Sequence, residues 1–355
     1  MNNRVSRFFI LLLTVLFCFQ TTIFALAEGQ EKPQEILNAL TYLSEGGSGR
    51  WTAVSINAAG NVPDEALALS IRDEVKNSLT SSNPKVTDIA HDILALSACG
   101  YDAVKFENTD LTAALCNSDK MLGQGANGPI YALMALDSKD YITPENMKWN
   151  RETLCDAILS FQKEDSGFSL NDSMDADVDV TAYALIALAP YTEKQKVSEA
   201  VNNGLQWLSA NQNEDATFSS MGIVNSESTA SVVIALISLG IPITSELFTK
   251  DGVSAYDALL TFQNADGGFA HLQQEDSDLL ATEQAVMAMS AVCFGKSPFK
   301  LATVPPPAEK SFISYTFLLI LAAAVILIGL ILFFLLKAIK RHQNKDNSLN
   351  NSGEI

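Results

Sequence analysis

The chain has 355 residues, a formal net charge of −18 at pH 7 and a hydrophobic fraction of 48%. This composition can bury a sizeable core, which excludes a disordered chain. The acidic excess excludes a nucleic-acid binder, because such a protein needs a basic footprint for phosphates. We therefore expect no nucleic-acid partner.

The first 27 residues predict a secretory signal peptide. Arg4 and Arg7 form a basic start, an apolar stretch follows, and Ala25-Leu26-Ala27 supplies the small residues of a cleavage site. The folded body is therefore expected to begin at residue 28 and to lie outside the cytoplasm.

Six pairs of helices are predicted between residues 28 and 297. The second helix of each pair is apolar nearly all round and rich in Ala and Leu, so it must be buried on most faces. These inner helices are predicted at 52–59, 87–98, 128–136, 181–188, 229–239 and 282–292, and amphipathic outer helices at 63–77, 109–121, 154–161, 197–208 and 256–262. The pattern predicts an all-α fold, a closed α/α toroid of six helix pairs. An open solenoid is the alternative, and it would need polar capping repeats at both ends.

A turn motif recurs about every 50 residues after an outer helix. Its three copies are Gln162, Asp165 and Phe168; Gln212, Asp215 and Phe218; and Gln263, Asp266 and Phe269. Glycines in two of the copies permit tight turns, and the Gln and Asp side chains can hold backbone groups while the ring packs inward. We interpret these motifs as structural rather than catalytic.

The C-terminal part predicts a membrane anchor. Residues 298–314 form a Pro-containing linker, residues 315–336 a transmembrane helix, and residues 337–355 a basic tail. The stretch from Phe317 to Leu336 carries no charge and is long enough to span a bilayer. Lys337, Lys340 and Arg341 follow it, which places the tail in the cytoplasm. We expect a bacterial-type, single-pass protein of the plasma membrane with the bulk of the chain outside.

Four cysteines remain in the body: Cys99, Cys116, Cys155 and Cys293. Outside the cell they could form two disulfides, in any of three pairings. Alternatively, they are small buried apolar residues. No spacing among them is typical of a zinc site.

The turn motifs, the segment Asp177-Val-Asp179-Val-Thr181-Ala182 and the segment Ala281-Thr-Glu-Gln-Ala285 resemble the α/α-toroid superfamily. This superfamily contains squalene/hopene cyclases, protein prenyltransferase β subunits and cobalamin carriers related to intrinsic factor and transcobalamin. The resemblance implies the toroid fold, which hosts several unrelated functions.

Two enzymatic branches of the superfamily fit incompletely. Class II cyclases use an Asp-x-Asp-Asp group as acid, and here Val180 stands in the last position. Three Trp residues and an aromatic fraction of 8% are few for a cavity that must stabilise carbocations with aromatic rings. Prenyltransferases need a zinc site of Asp, Cys and His, yet no body cysteine lies two residues after an Asp. These departures favour a non-enzymatic toroid without a metal.

The first hypothesis is therefore a membrane-anchored binding protein that captures or presents a small ligand. The resemblance to the carriers makes cobalamin the sharpest choice. No second domain follows residue 297, so a β-domain or transporter partner would supply the other half of such a site. The alternatives are a diverged class II terpenoid cyclase with Asp179, beside Asp177, as its acid, and a surface adhesion module.

Long loops before the last inner helices predict where a ligand binds, because loops on a rigid scaffold carry function. The candidate contacts are Asp175, Asp177, Asp179, Thr181, Tyr183, Glu227, Thr229, His271, Thr282, Glu283 and Gln284, with Met174 and Met221 as apolar contacts. Asp179 and Glu227 could instead cap helices. A calcium loop of the EF-hand type fails, since Val180 and Ile186 stand where Gly and Glu are needed.

Overall fold

The computed structural model describes residues 31–81, 83–143 and 147–307, together with Leu327 and Lys337. The chain forms two units, Met1–Pro307 and Ala308–Ile355. The predicted signal peptide lies outside the described residues, as do the transmembrane helix and tail apart from Leu327 and Lys337. Within the described parts, no helix is both long and apolar enough to cross a bilayer.

Helices dominate the first unit, and six outer helices alternate with six inner helices along its described residues. The outer helices are α1 (Gln34–Gly46), α3 (Glu65–Ser78), α5 (Leu111–Cys116), α7 (Arg151–Leu159), α9 (Gln195–Ala210) and α11 (Ala255–Leu260). The inner helices are α2 (Arg50–Ala58), α4 (Val86–Ala98), α6 (Asn127–Asp137), α8 (Val178–Leu188), α10 (Ser226–Ser238) and α12 (Leu279–Phe294). Two 3₁₀ turns lie at Ala189–Tyr191 and Glu246–Phe248.

Short antiparallel hairpins lie in loops between the helices. They pair β1 (Ser219–Ser220) with β2 (Ile223–Val224), β3 (Thr249–Lys250) with β4 (Val253–Ser254), and β5 (Phe269–Ala270) with β6 (Ser277–Asp278). Ser219 lies opposite Val224, and Phe269 lies opposite Asp278. The first and third hairpins lead directly into α10 and α12, so they stand where inner helices begin.

The inner helices form a closed ring. Each packs against its neighbours in the order α2, α4, α6, α8, α10 and α12, and α12 packs against α2. The outer helices lie outside this ring; α9 packs on α8 and buries only one stripe, whereas α8 is buried on most faces. The predicted toroid of six helix pairs is confirmed, and the open solenoid is not.

Helix α5 is shorter than the predicted 109–121. Asp110 caps its start by accepting from the Ala113 amide at 2.9 Å, but the helix ends at Cys116. The chain beyond it turns to reach Leu170, whose carbonyl accepts from the Ala126 amide at 2.9 Å. Gly125 permits this approach, because it has φ +61° and a Cβ there would meet the Leu170 oxygen at 1.9 Å.

The recurrent turns join neighbouring repeats as predicted. In the first, the Gln162 amide donates to the Ala200 carbonyl at 2.9 Å, and the Phe168 side chain is fully buried. In the last, the Gln263 amide donates to the Glu35 carbonyl at 2.9 Å. That bond connects the sixth repeat to α1, so the motif also helps to close the ring.

The folded body extends beyond the predicted boundary at residue 297. Phe299, Leu301 and Val304 are buried, although the sequence placed them in a linker. Asn57 exchanges two hydrogen bonds with the Ala302 backbone, at 2.8 and 3.2 Å. Because apolar side chains here pack into the ring, residues up to Pro307 belong to the body.

Within the described part of the chain, none of the four cysteines forms a disulfide. Cys99, Cys116 and Cys155 are buried, and burial raises the thiol pKa of Cys99 and Cys155 to about 12. Their role is that of small apolar core residues, the second of the two readings that the sequence left open.

Candidate functional site

Aromatic rings from four inner helices converge inside the ring. Trp51, His91, Tyr131 and Tyr183 each lie within the first two turns of α2, α4, α6 and α8. Ring centroids lie 4.8 Å apart for Trp51 and His91, 4.6 Å for His91 and Tyr131, and 5.6 Å for Tyr131 and Tyr183. Phe299 completes this group, which we call the aromatic cluster, at 6.2 Å from Trp51 and 6.3 Å from Tyr183.

The expectation of a thin aromatic lining is therefore wrong for this part of the molecule. That expectation relied on the aromatic fraction of the whole chain, but a few rings are enough when separate helices bring them together. The signal that could have found the cluster was position. An aromatic residue or histidine occurs near the start of each of the four inner helices α2, α4, α6 and α8.

Asp179 is placed beside this cluster by the geometry of α8. It precedes Tyr183 by four residues, so the two side chains lie on one helix face. Its Oδ1 atom is buried and has no hydrogen-bond partner among the described residues. The negative charge of Asp179 also contributes, after burial, to the raised pKa of both Tyr131 and Tyr183.

The environment of Asp179 favours its neutral form. Burial raises the pKa of this carboxyl to about 6. The charges of Asp177 and Glu227 act in the same direction, while the hydroxyl groups of Ser228 and Ser220 offset part of the effect. About half of Asp179 is thus protonated at pH 6 and about a tenth at pH 7, so the group can act as a proton donor in slightly acidic to neutral solution.

Asp177 has a different task, although only one residue separates it from Asp179. Its Oδ1 accepts from the amides of Asp179 at 2.9 Å and Val180 at 3.3 Å, so it caps α8. Its Oδ2 accepts from the Ser220 hydroxyl at 2.8 Å. These bonds fix the first turn of α8 and hold it against the β1–β2 hairpin, which positions Asp179.

Glu227 and His271 form a pair near the same helix ends. Glu227 lies in the first turn of α10, and both of its carboxylate oxygens are 2.9 Å from His271 Nδ1. The Ser226 hydroxyl also donates to Glu227 at 3.0 Å. Since the Glu227 charge raises the pKa of Asp179, the structure brings these two acids and His271 together.

The pKa of His91 is shifted in the opposite direction to that of Asp179. Burial lowers its pKa to about 4, so its imidazole is neutral at physiological pH. Its Nε2 atom is buried and lacks a hydrogen-bond partner among the described residues. Two titratable groups with pKa values pushed apart, one raised and one lowered, are the usual sign of an acid and a base in one site.

Three of the predicted contacts serve the scaffold in the structure. Thr181, Thr229 and Thr282 are fully buried, and each hydroxyl accepts from the amide of the Phe in its own repeat. The distances are 2.8, 3.1 and 2.8 Å. These threonines therefore fasten each turn to the inner helix that follows it.

The remaining predicted contacts have other surroundings in the structure. Glu283 is buried and accepts from the Thr52 hydroxyl, which connects α12 to α2 where the ring closes. Asp175 is exposed, and with Met174 and Met221 it lines an open cleft of about 800 Å³ beside Trp207. Gln284 is half-buried. Across the described ranges, no group of three or more His, Cys, Asp or Glu side chains could hold a metal.

The fold and the site define a class, an α/α toroid that holds a half-buried carboxyl group, with one buried oxygen, beside converging aromatic rings. The chain matches the family model of the prenyltransferase alpha-alpha toroid domain over residues 106–305, and it belongs to that family. The resemblance to the toroid superfamily is thereby confirmed. No curated protein matches the chain.

The chain is similar to solved structures. One similar structure is ent-copalyl diphosphate synthase from Streptomyces platensis, with 21% identity over 69% of this chain and 49% of that chain and a TM-score of 0.47. Another is Candida albicans protein geranylgeranyltransferase-I complexed with GGPP, with 14% identity over 81% of this chain and 98% of that chain and a TM-score of 0.51. This chain spans about half the length of the synthase. At these identities the likeness concerns the fold alone.

Proposed function

We propose that the chain is a toroid of the terpenoid cyclase type, in which Asp179 protonates a carbon–carbon double bond of an isoprenoid. The observation that carries this proposal is the buried, partnerless Oδ1 of Asp179, with its pKa raised to about 6, beside the aromatic cluster. A carboxyl group with these properties can act as a general acid near neutral pH.

The proposed first step transfers one proton. The O–H bond of Asp179 breaks, the π electrons of the alkene form a new C–H bond, and the adjacent tertiary carbon becomes a cation. Asp179 is left as a carboxylate. A second double bond of the same molecule then attacks the cation and closes a ring. The cluster stabilises these cations because aromatic faces attract positive charge by about 0.5–2 kcal/mol each.

In this proposal neutral His91 accepts the proton that the final cation releases. In the tautomer protonated at Nδ1, its Nε2 carries a free lone pair that accepts this proton, and no hydrogen bond to the described residues competes for it. The low pKa of about 4 keeps His91 unprotonated while Asp179 is partly protonated. Loss of the proton leaves an uncharged product.

The electrostatics favour an uncharged isoprenoid over a diphosphate. Asp177, Asp179 and Glu227 all lie near the helix ends beside the cluster, and carboxylates repel a polyanion. An uncharged isoprenoid also dissolves in a bilayer. The membrane helix and extracytoplasmic location predicted from the sequence therefore remain part of this proposal, with the lipid bilayer as the source of substrate.

The cobalamin hypothesis fits this interior less well. Rings with centroids 4.6–6.3 Å apart contact one another in the region between the inner helices and leave no space for a corrin macrocycle. His271, whose imidazole could otherwise serve as a cobalt ligand, is already engaged by Glu227 at 2.9 Å. One observation still favours a carrier that performs no chemistry. Val180 stands where the cyclase motif has its last acid.

The test is an incubation of the full chain with squalene and, separately, with geranylgeraniol, followed by mass spectrometry of the extracted products. We expect cyclic products from the wild type and none from Asp179→Asn. Asp175→Asn is the matched control, because it alters an exposed carboxylate outside the cluster, and it should keep full activity. Products that persist in Asp179→Asn would overturn the proposal. Binding of isoprenoid without turnover, or a shift in the visible spectrum of added cobalamin, would support a carrier instead.

A further inference from the structure

The β1–β2 hairpin has a methionine in a turn position that methionine seldom occupies. Its two-residue turn consists of Met221 and Gly222, with φ of +51° and +79°. The β3–β4 hairpin makes the same kind of turn with Asp251 and Gly252, at φ of +50° and +85°. Such turns favour Asn or Asp followed by Gly, because other side chains rarely adopt a positive φ. Met221 is therefore the unusual residue of the two hairpins.

Packing within the fold does not explain this methionine. The Met221 side chain is 80% exposed, so the core gains little from it. Ile223 and Val224, in the strand that follows, are also exposed. We call these three residues the hairpin knob. Apolar side chains that cluster on a protein surface mark a contact site for a partner.

The hairpin knob borders the open cleft of about 800 Å³ described above. Met221 lines this cleft together with Met174 and Trp207. The Trp207 ring is fixed there, because its indole nitrogen donates to the Asp165 carboxylate at 3.1 Å. The ring also lies against Gly167, where a Cβ would come within 2.6 Å of it. Two flexible thioethers and one rigid indole form a surface that accepts apolar side chains of varied shape.

The charges around the cleft determine which kind of partner fits. Its described lining contains carboxylates but neither Lys nor Arg. Asp165 places one carboxylate beside Trp207, and Asp177 places another 2.8 Å from the Ser220 hydroxyl, next to Met221. An indole face also attracts cations. A cationic partner is therefore favoured, whereas a flat bilayer with anionic headgroups matches a concave acidic cleft poorly.

We propose that the hairpin knob and the adjoining cleft bind a segment of another protein in which apolar residues stand next to Lys or Arg. The apolar side chains of that segment contact Met221 and Met174. Its basic groups face the carboxylates and the Trp207 ring. The inference is independent of the proposed function, because this surface lies outside the aromatic cluster.

The experiment titrates the full chain into a fluorescently labelled peptide of three Leu-Lys repeats and follows the anisotropy. We expect the wild type to bind this peptide at least tenfold more tightly than a peptide of three Leu-Glu repeats, with an affinity that falls as salt is added. Met221→Asn should weaken binding about tenfold through the loss of an apolar contact. The same variant should unfold at a higher urea concentration, because Asn adopts a positive φ more readily. A protein that folds better and binds worse separates binding from stability.

Asp251→Asn is the matched control, since it changes the same turn position in the β3–β4 hairpin. It should alter neither the affinity nor the urea midpoint. Ile223→Thr keeps a strand-forming residue but removes apolar surface, so it should also weaken binding.

Equal affinity for the two peptides would overturn the inference, as would unchanged binding in both Met221→Asn and Ile223→Thr. A wild type that binds neither peptide would overturn it too. If that protein instead binds phosphatidylcholine vesicles and Met221→Asn does not, the surface belongs to a bilayer contact.

Discussion

The raised pKa of Asp179 predicts how the stability of the protein depends on pH. An exposed aspartate has a pKa near 3.8, whereas burial raises that of Asp179 to about 6. This difference corresponds to about 3 kcal/mol of unfolding free energy. Below about pH 4 Asp179 is protonated in both the folded and the unfolded chain, so no energy is lost. As the pH rises through 6, the folded protein must hold a buried carboxylate and loses the full amount.

Asp179→Asn should therefore stabilise the protein, and only at higher pH. The amide has nearly the shape of the protonated acid but cannot ionise. We expect the variant to gain about 3 kcal/mol over the wild type near pH 7 and almost nothing near pH 4. Urea unfolding of the full chain, followed by circular dichroism at several pH values, measures this difference.

Asp175→Asn provides the control, because an exposed surface change should stay within about 0.5 kcal/mol at every pH. Destabilisation by Asp179→Asn at neutral pH, or a gain that does not depend on pH, would refute the reasoning. Such a result would mean that Asp179 is stabilised as a carboxylate.

Two further predictions concern the same helix. Asp177→Ala should destabilise the protein by about 1 kcal/mol in urea unfolding, because two backbone amides of α8 lose their cap; an unchanged midpoint would contradict the capping role. The initial rate of product formation should fall about tenfold for each pH unit above about 6, because only protonated Asp179 is active. A rate that stays level up to about pH 8 would exclude Asp179 as the acid.

The architecture was predictable because it depends on periodicity and composition. Inner helices such as α8 are apolar on nearly every face, and the Gln–Asp–Phe turns repeat at a nearly constant interval. These local signals predicted six pairs and a ring. Helix α5 was drawn too long because the chain after Cys116 turns toward Leu170. The bond from Ala126 to Leu170 spans more than 40 residues and leaves no local pattern in the sequence.

The site was predictable only in part. Asp179 and Tyr183 were found from the motif and from their position before and within an inner helix. Trp51, His91, Tyr131 and Phe299 were missed. The first three share a position near the start of an inner helix, which is a signal that could have found them. Phe299 was hardest, since it lies beyond the last helix in a segment that reads as a linker. The threonines were natural candidates for ligand contacts, but their regular spacing reflects the repeated bond to a Phe amide.

The most direct test of the central claim is to run the incubation with squalene in D₂O and to determine the isotope content of the product by mass spectrometry. Asp179 exchanges its proton with solvent before each turnover, so the account predicts a cyclic product that carries one solvent-derived deuterium on carbon. Asp179→Asn should give no such product. A cyclic product without deuterium, or one labelled equally by the variant, would contradict protonation by Asp179.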